Sequence, residues 1–353
     1  MPSIMGLVVK EALNTGSSHP PLHPKRCLNS KQGKVKCSAC MEICPAGVIN
    51  QPEKGKVNWE QCLSCGLCTA ACPSGAWGFT DYRQRKALQM MNDKRPVHIL
   101  GCQQAAGEMD SKAWCLSSFA WELIAALALV GRVELLRGDC ENCPRKDSLF
   151  CHEEAMARVR LFLGEKRFEE QVLLHSAGET GKHEVSRREL FGKFLPGARK
   201  KPTDPQEQAE SFGEDGQALR LMLAKTMERL PNQEEKYGWE APNFTEKCWA
   251  CGICAKICPN DALKMKEKDG VWRVVCSPVL CTSCGVCEAV CPDGGIDGLR
   301  EAHMPAGKRR IVHRTAAGSC TECGGAVKPD SGYEKCLRCR VVKKKKTPAK
   351  GLI

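Results

Sequence analysis

Apolar residues along this chain fall into short runs broken by polar and glycine-containing stretches, and few of the runs carry a clear period. "RPVHILGC", from Arg95 to Cys102, is a brief continuous apolar run of the kind that forms a buried strand. "SSFAWELIAALALVG", from Ser117, has serine at its start and Gly131 at its exit, the signals of a helix. "RVELL", from Arg132, reads as a second strand and leads into "RGDCENCP". Strand, helix and strand within about 45 residues predict a small α/β unit. Helical spacing of Leu, Val and Phe continues over roughly 153–174, and Ala218–Leu230 reads as one amphipathic helix that packs on neighbouring domains. Between these two, residues 196–216 shift to Pro, Gly, Gln and acids, the composition of a linker. The longest near-apolar run, Phe119–Val130, carries Glu122 and is too short for a bilayer, which needs about 20 residues. No transmembrane span is expected.

Outside these elements the chain is organised by cysteine, which supplies 26 of its 353 residues. The N-terminus has no positive segment followed by an apolar one, so no signal peptide is expected. A cytoplasmic, reducing setting follows, in which clustered cysteines bind metal or do redox chemistry rather than pair as disulfides. The net charge of +12 sits largely near Arg199–Lys201, at Lys308–Arg310 and in the tail from Arg340. Aromatic residues make up only 5% of the chain and do not interleave with the basic ones, which argues against nucleic acid as a partner. A solvated tail is the first reading of that charge. Docking on an acidic partner face, or peripherally on an anionic membrane surface, is the alternative.

Three stretches repeat one spacing, C-x2-C-x2-C-x3-C-P. They are Cys62, Cys65, Cys68, Cys72 and Pro73; Cys248, Cys251, Cys254, Cys258 and Pro259; and Cys281, Cys284, Cys287, Cys291 and Pro292. Two-residue gaps let one short loop wrap three corners of a cubane, and the fourth cysteine turns toward a neighbouring cluster. Gly66, Gly252 and Gly285 lie between the second and third cysteines, where backbone comes close to inorganic sulfur and offers it N–H donors. A fourth stretch departs from the pattern. Cys37, Cys40, Cys44 and Pro45 keep the last three positions, but position 34 is Lys, and Cys27 lies ten residues before Cys37. An inserted loop between first and second ligands makes Cys27 the missing member; a three-iron cluster or a non-cysteine ligand, with Cys27 free, is the alternative.

On these runs the chain resembles the two-cluster ferredoxin domains of multi-cluster electron-transfer subunits, over 27–80 and 248–299. The crossed ligation of that family implies four [4Fe–4S] clusters. The first takes Cys27, Cys37, Cys40 and Cys72, and the second Cys62, Cys65, Cys68 and Cys44. The third takes Cys248, Cys251, Cys254 and Cys291, and the fourth Cys281, Cys284, Cys287 and Cys258. Between the domains, the strand-end Cys102, then Cys115, a helix, a strand and Gly-Asp-Cys140-x-x-Cys143 look similar to the small iron–sulfur subunit of hydrogenases linked to heterodisulfide reductase. That likeness implies a further iron–sulfur cluster on Cys102, Cys115, Cys140 and Cys143, with zinc or unligated core cysteines as the alternatives. Near the C-terminus Cys320, Cys323, Cys336 and Cys339 form C-x2-C-x12-C-x2-C with Gly324 and Gly325 after the first pair, which resembles a zinc ribbon. A rubredoxin-like iron is the alternative there. Cys151 and Cys276 are left over, and His152, His175 and His183 read as surface groups.

The expected architecture is α+β. A dicluster ferredoxin domain over 22–85 is followed by a small α/β cysteine module over 95–152 and helical segments with a linker over 153–240. A second dicluster domain spans 243–303, a zinc ribbon 315–342 and a basic tail 343–353. No nucleotide or flavin motif is present, and "VSRRELFGKFL" from Val185, which resembles a twin-arginine signal, lies inside the chain. The expected function is electron relay without substrate chemistry of its own. The resemblance implies a flavin-, molybdenum- or nickel-containing catalytic oxidoreductase subunit as partner, in an anaerobe. A redox sensor or assembly factor, a nucleic-acid-binding protein, and a reductase with its active site at the middle module are the other readings.

Overall fold

The structure, a computed structural model, describes residues 19–30, 35–78, 90, 95–143, 146, 149–178, 218–230, 236–305, 309–329, 331–336 and 339–340. The linker at 196–216, the stretch from Val185, His183, the side chain of Cys151 and the tail from 341 lie outside those residues. The chain divides into two compact units, Met1–Lys25 with Ser38–Gln233, and Arg26–Cys37 with Glu234–Ile353. No helix among the described residues is long and apolar enough to cross a membrane.

The first unit opens with a cysteine domain of short elements: α1 (Ala39–Glu42), β1 (Ile49–Gln51) antiparallel to β2 (Lys56–Val57), and α2 (Leu67–Ala71). Trp77, 1% exposed, packs with Cys40, Val48 and Ile49 to form its small core. An α/β layer follows. Its strands β3 (Val97–Cys102), β4 (Ser111–Ala113), β5 (Arg132–Leu136) and β6 (Val172–His175) form one parallel sheet in the order β4-β3-β5-β6. The helix α3 (Trp121–Val130) links β4 to β5 and buries Leu123 through Ala128. Being apolar on all sides, it is covered by α4 (Leu149–Leu163) and by α6 (Ala218–Glu228), while α5 (Glu165–Gln171) precedes β6. One charge pair crosses this layer: Arg220 Nε reaches Glu122 Oε1 at 3.0 Å, with both side chains largely buried.

Three elements differ from the sequence expectation. The helix starts at Trp121, capped by the Ala120 backbone, because Leu116–Ser118 is taken up by a separate 3-10 turn. The helical spacing over 153–174 breaks at Gly164 (φ 78), and Val172–His175 is a strand. Its apolar run pairs with β5, a long-range partner that no local period announces. The pair of expected strands is therefore the centre of a four-stranded sheet.

The second unit pairs β7 (Lys236–Phe244) with β10 (Ile296–Pro305) in a long antiparallel ribbon. Between them come α7 (Ile253–Ile257), the hairpin β8 (Leu263–Lys268) and β9 (Val271–Cys276), and α8 (Val286–Ala289). The strand β11 (Arg310–Ala316) completes a three-stranded sheet with β9 at its centre. The last element is a small hairpin, β12 (Gly318–Ser319) with β13 (Ala326–Val327). Ala326 packs with Ala250 and Trp272, and Lys328 Nζ bonds Asp293 Oδ1 at 2.6 Å, so this hairpin is docked on the cysteine domain. Helices and segregated sheets make the whole α+β.

Candidate metal centres

The three complete runs fold alike. In each, the residue before the second cysteine and the glycine after it are left-handed: Ser64 and Gly66 (φ 49 and 79), Ala250 and Gly252 (61 and 77), Ser283 and Gly285 (57 and 71). Alternating left-handed residues turn successive backbone N–H groups to one side and create a concavity suited to an anionic sulfur cluster. Each glycine also starts the short helix, α2, α7 or α8, that carries the third cysteine. A second repeated turn follows the fourth cysteine. The residue three beyond it is left-handed (Gly75, Asp261, Gly294), and the next N–H donates to the cysteine sulfur. These bonds run from Ala76 to Cys72 Sγ at 3.2 Å, Ala262 to Cys258 Sγ at 3.4 Å, and Gly295 to Cys291 Sγ at 3.1 Å. Hydrogen bonds of this kind tune the potential of a bound cluster.

The irregular run keeps the later turn, with Gly47 at φ 60, but loses the earlier loop. Ser38 is right-handed (φ −117) and α1 begins immediately after it. Cys37 is held instead by Asn29, whose Nδ2 donates to its carbonyl and whose Oδ1 accepts its N–H, both at 2.8 Å. Ser30 Oγ donates to the Cys27 carbonyl at 2.6 Å. A polar clamp thus binds Cys27 and Cys37 into one strap.

Three of the four expected sets can be followed in the side chains. Cys44, Cys62, Cys65 and Cys68 line a single cavity with Trp59 and Trp77, which is the set expected for the second cluster. In the second unit, beyond the effect of burial, Cys251 and Cys291 lie close enough to Cys248 to raise its pKa, and Cys251 and Cys248, with Cys287, lie as close to Cys254. Cys281, Cys284 and Cys258 lie likewise close to Cys287. The structure therefore brings together both expected sets of that domain, in the crossed arrangement. Of the first set, Cys40 and Cys72 belong to the first unit and Cys27 and Cys37 to the second. Burial, then the neighbouring thiols, pushes Cys287 up to about 12 and raises Cys68 and Cys254 further. Without metal these are protonated thiols, and a metal entering the site must displace their protons. None of the cysteines with a described side chain forms a disulfide. The leftover Cys276 is fully buried beside Cys281 and hydrogen-bonded to it.

The middle cysteines also converge. Cys102, Cys115, Cys140 and Cys143 line one cavity, together with Trp114, Arg137 and His152. Cys102 comes from the end of β3, and the Gly138 N–H donates to its sulfur at 3.3 Å. A side chain at Gly138 would meet Gln104 at 2.6 Å, so the approach of that N–H depends on glycine. His152 is not the surface group expected from sequence. It is 6% exposed, because α4 lays it over the cavity, and neither ring nitrogen has a protein partner among the described residues. Burial, with the Arg137 charge second, lowers its pKa to about 4, so the imidazole is neutral. His175 is half-buried and reaches Glu134 at 3.2 Å. Nothing in the sequence pointed to a role for Arg137 in this cavity, and a lone His on a helix, such as His152, carries no ligand spacing.

At the C-terminal hairpin the four sulfurs of Cys320, Cys323, Cys336 and Cys339 lie within 4.8 Å of one another. Tetrahedral zinc with Zn–S bonds of about 2.3 Å needs sulfur separations of about 3.8 Å, so the group fits with small adjustments. Backbone N–H groups, that of Cys336 first, hold the Cys320 thiol below the ordinary cysteine range, which favours the thiolate a metal needs.

Comparison with known proteins bears on these sites. Residues 35–77 and 247–295 each match the family of 4Fe-4S dicluster domains. The chain carries two ferredoxin-type iron–sulfur domains. A selenate reductase subunit of Mesobacillus selenatarsenatis is 28% identical over 79 residues, covering 20% of this chain and 26% of that protein. The chain thus spans about a quarter of the length of this relative. No solved structure matches. The middle cavity and the C-terminal hairpin lie outside the matched residues.

Proposed function

We propose that this chain is a cytoplasmic electron-transfer subunit that relays electrons through four [4Fe–4S] clusters and a fifth centre to or from a catalytic oxidoreductase subunit. The clusters would be held by Cys27, Cys37, Cys40 and Cys72; Cys44, Cys62, Cys65 and Cys68; Cys248, Cys251, Cys254 and Cys291; and Cys258, Cys281, Cys284 and Cys287. Cys102, Cys115, Cys140 and Cys143 would hold the fifth. Such centres supply one-electron chemistry at potentials set by hydrogen bonds, charge and exposure. The observation that carries the relay lies in the first unit. Ile43 and Leu67 form one small apolar cluster against which Cys65, Trp114 and Cys115 all pack. A sulfur of the second cluster and a sulfur of the middle centre therefore flank the same few side chains, which supports passage between them. The partner is read as a flavin-, molybdenum- or nickel-containing subunit, and the likeness to a subunit of a reductase supports a catalytic partner.

The four C-terminal cysteines hold zinc in this reading, as a structural module. Its docking through Ala326 and Lys328 on the second cysteine domain supports that role. Metal analysis of anaerobically purified protein tests the whole assignment. About 16 irons and one zinc per chain leave the middle cavity without iron, about 18 to 20 irons place a cluster there, and near-zero iron refutes the relay.

A further inference from the structure

The sheet β8–β9–β11 in the second unit has one face that the relay reading does not use. Strand pairing sets its rows. Lys264, Val275 and Ile311 lie side by side, then Lys266, Arg273 and Arg314, then Lys268, Val271 and Ala316. The alternate residues, among them Trp272 and Val274, face the other way and are buried. This face thus presents five cations around a buried Val275: Lys264, Lys266, Lys268 and Arg314 are exposed and Arg273 is half-buried. No carboxylate stands on it: Glu267 alternates to the opposite side and bonds the Gly270 N–H, and Asp269 lies in the hairpin turn. None of the five forms an ion pair with a described carboxylate. Arg273 is pinned by its Nη1 to the carbonyls of Lys268 and Val271, at 2.8 and 3.1 Å.

Like charges directly opposite on neighbouring strands destabilise a sheet, and here three stand in one row. Strand spacing of about 4.8 Å puts Lys266, Arg273 and Arg314 within roughly 10 Å, less than or equal to a Debye length at ordinary salt. Nothing in the fold requires that row, so its benefit is external. Its position says where. The strand β9 ends at Cys276, beside Cys281, and β8 begins five residues after Cys258, both in the fourth cysteine set.

We infer that this face docks an acidic redox protein and aligns it with the fourth cluster. The inference rests on the electron-transfer reading above. A protein partner fits better than the other polyanions. The face has no aromatic side chain on which bases could stack, and its exposed apolar residues, Ile311 and Ala316, make no membrane wedge but suit the centre of a polar interface.

Stopped-flow reduction of the full iron-loaded chain by reduced flavodoxin, an acidic one-electron donor, tests this directly. The second-order rate is expected to fall tenfold or more between low and high salt, as for electrostatically steered encounters. The variant Lys266→Glu with Arg314→Glu changes two exposed positions. It is expected to lose tenfold or more in rate at low salt and to flatten the salt dependence, with unchanged iron and zinc content and unchanged reduction by dithionite. Wild-type rates and salt dependence in that variant overturn the inference, as does a wild-type rate insensitive to salt. Vesicles of phosphatidylserine and phosphatidylcholine, or single-stranded DNA, are a second probe. If either binds wild type but not the variant while flavodoxin kinetics stay equal, the face belongs to lipid or nucleic acid and the inference falls. Wild-type protein without iron, by contrast, removes the relay reading beneath it.

Discussion

Gly295 packs its backbone directly against Cys248, an expected ligand of the third cluster. A Cβ built there would lie 2.8 Å from Cys248 Cα and 2.9 Å from its Cβ and N. Carbon atoms pack at about 3.5–4.0 Å, so one side must move by roughly 0.7–1.2 Å. Cys248 is not free to yield, because its N–H bonds the Thr245 carbonyl at 3.1 Å and its carbonyl meets His313 Nε2 at 2.9 Å. Gly295 is held in turn, its N–H on Cys291 Sγ and its carbonyl on the Thr245 N–H. Gly295→Ala is therefore expected to cost about 1–3 kcal/mol of stability by overpacking. It also displaces Cys248 well beyond the roughly 0.2 Å that metal–ligand distances tolerate. The expected result is loss of the third cluster, about four irons per chain, with the other centres kept. Gly294→Ala is the control. Gly294 has φ +62 but open space around it, so alanine there costs only the left-handed strain, roughly 1–2 kcal/mol. Iron analysis with thermal unfolding separates the two. Full iron in Gly295→Ala, or equal iron loss in both variants, would refute the reasoning.

Other perturbations address the relay and the layer that carries it. Cys65→Ala combined with Cys284→Ala removes one ligand from each domain and is expected to abolish electron throughput while zinc stays bound; surviving throughput rules out a linear relay. Arg220→Met strands the Glu122 carboxylate in a largely buried setting and is expected to cost about 3–5 kcal/mol in chemical denaturation, most of it recovered by adding Glu122→Leu. A double variant as unstable as the single one contradicts that account. His152→Leu removes the buried imidazole from the middle cavity and is expected to shift the midpoint potential of that centre with little loss of iron, as seen by redox titration with EPR. An unmoved potential means the imidazole does not face the centre.

The chemistry of this protein was written in its local spacing. C-x2-C-x2-C-x3-C-P demands one loop, and the structure builds that loop three times with the same left-handed pair, Ser64/Gly66, Ala250/Gly252 and Ser283/Gly285. Short-range geometry suffices there, because all the determinants lie within a dozen residues. The irregular run shows the same rule from the other side: Ser38 stands where the other runs have glycine and is right-handed, so the left-handed loop is lost although the short helix carrying Cys40 remains. What sequence left open depended on partners far along the chain. Val172–His175 is a strand only because β5 offers it a parallel edge, and His152 is buried only because α4 closes over four cysteines drawn from three separate segments. The basic rows of β8, β9 and β11 likewise arise from register, which sets Lys266 and Arg273 of one hairpin abreast of Arg314, some forty residues farther along the chain. Spacing selects the ligands because a thiolate cage is a local object. Burial, charge density and the path between centres belong to the tertiary structure, because each is a sum over atoms that only folding brings together.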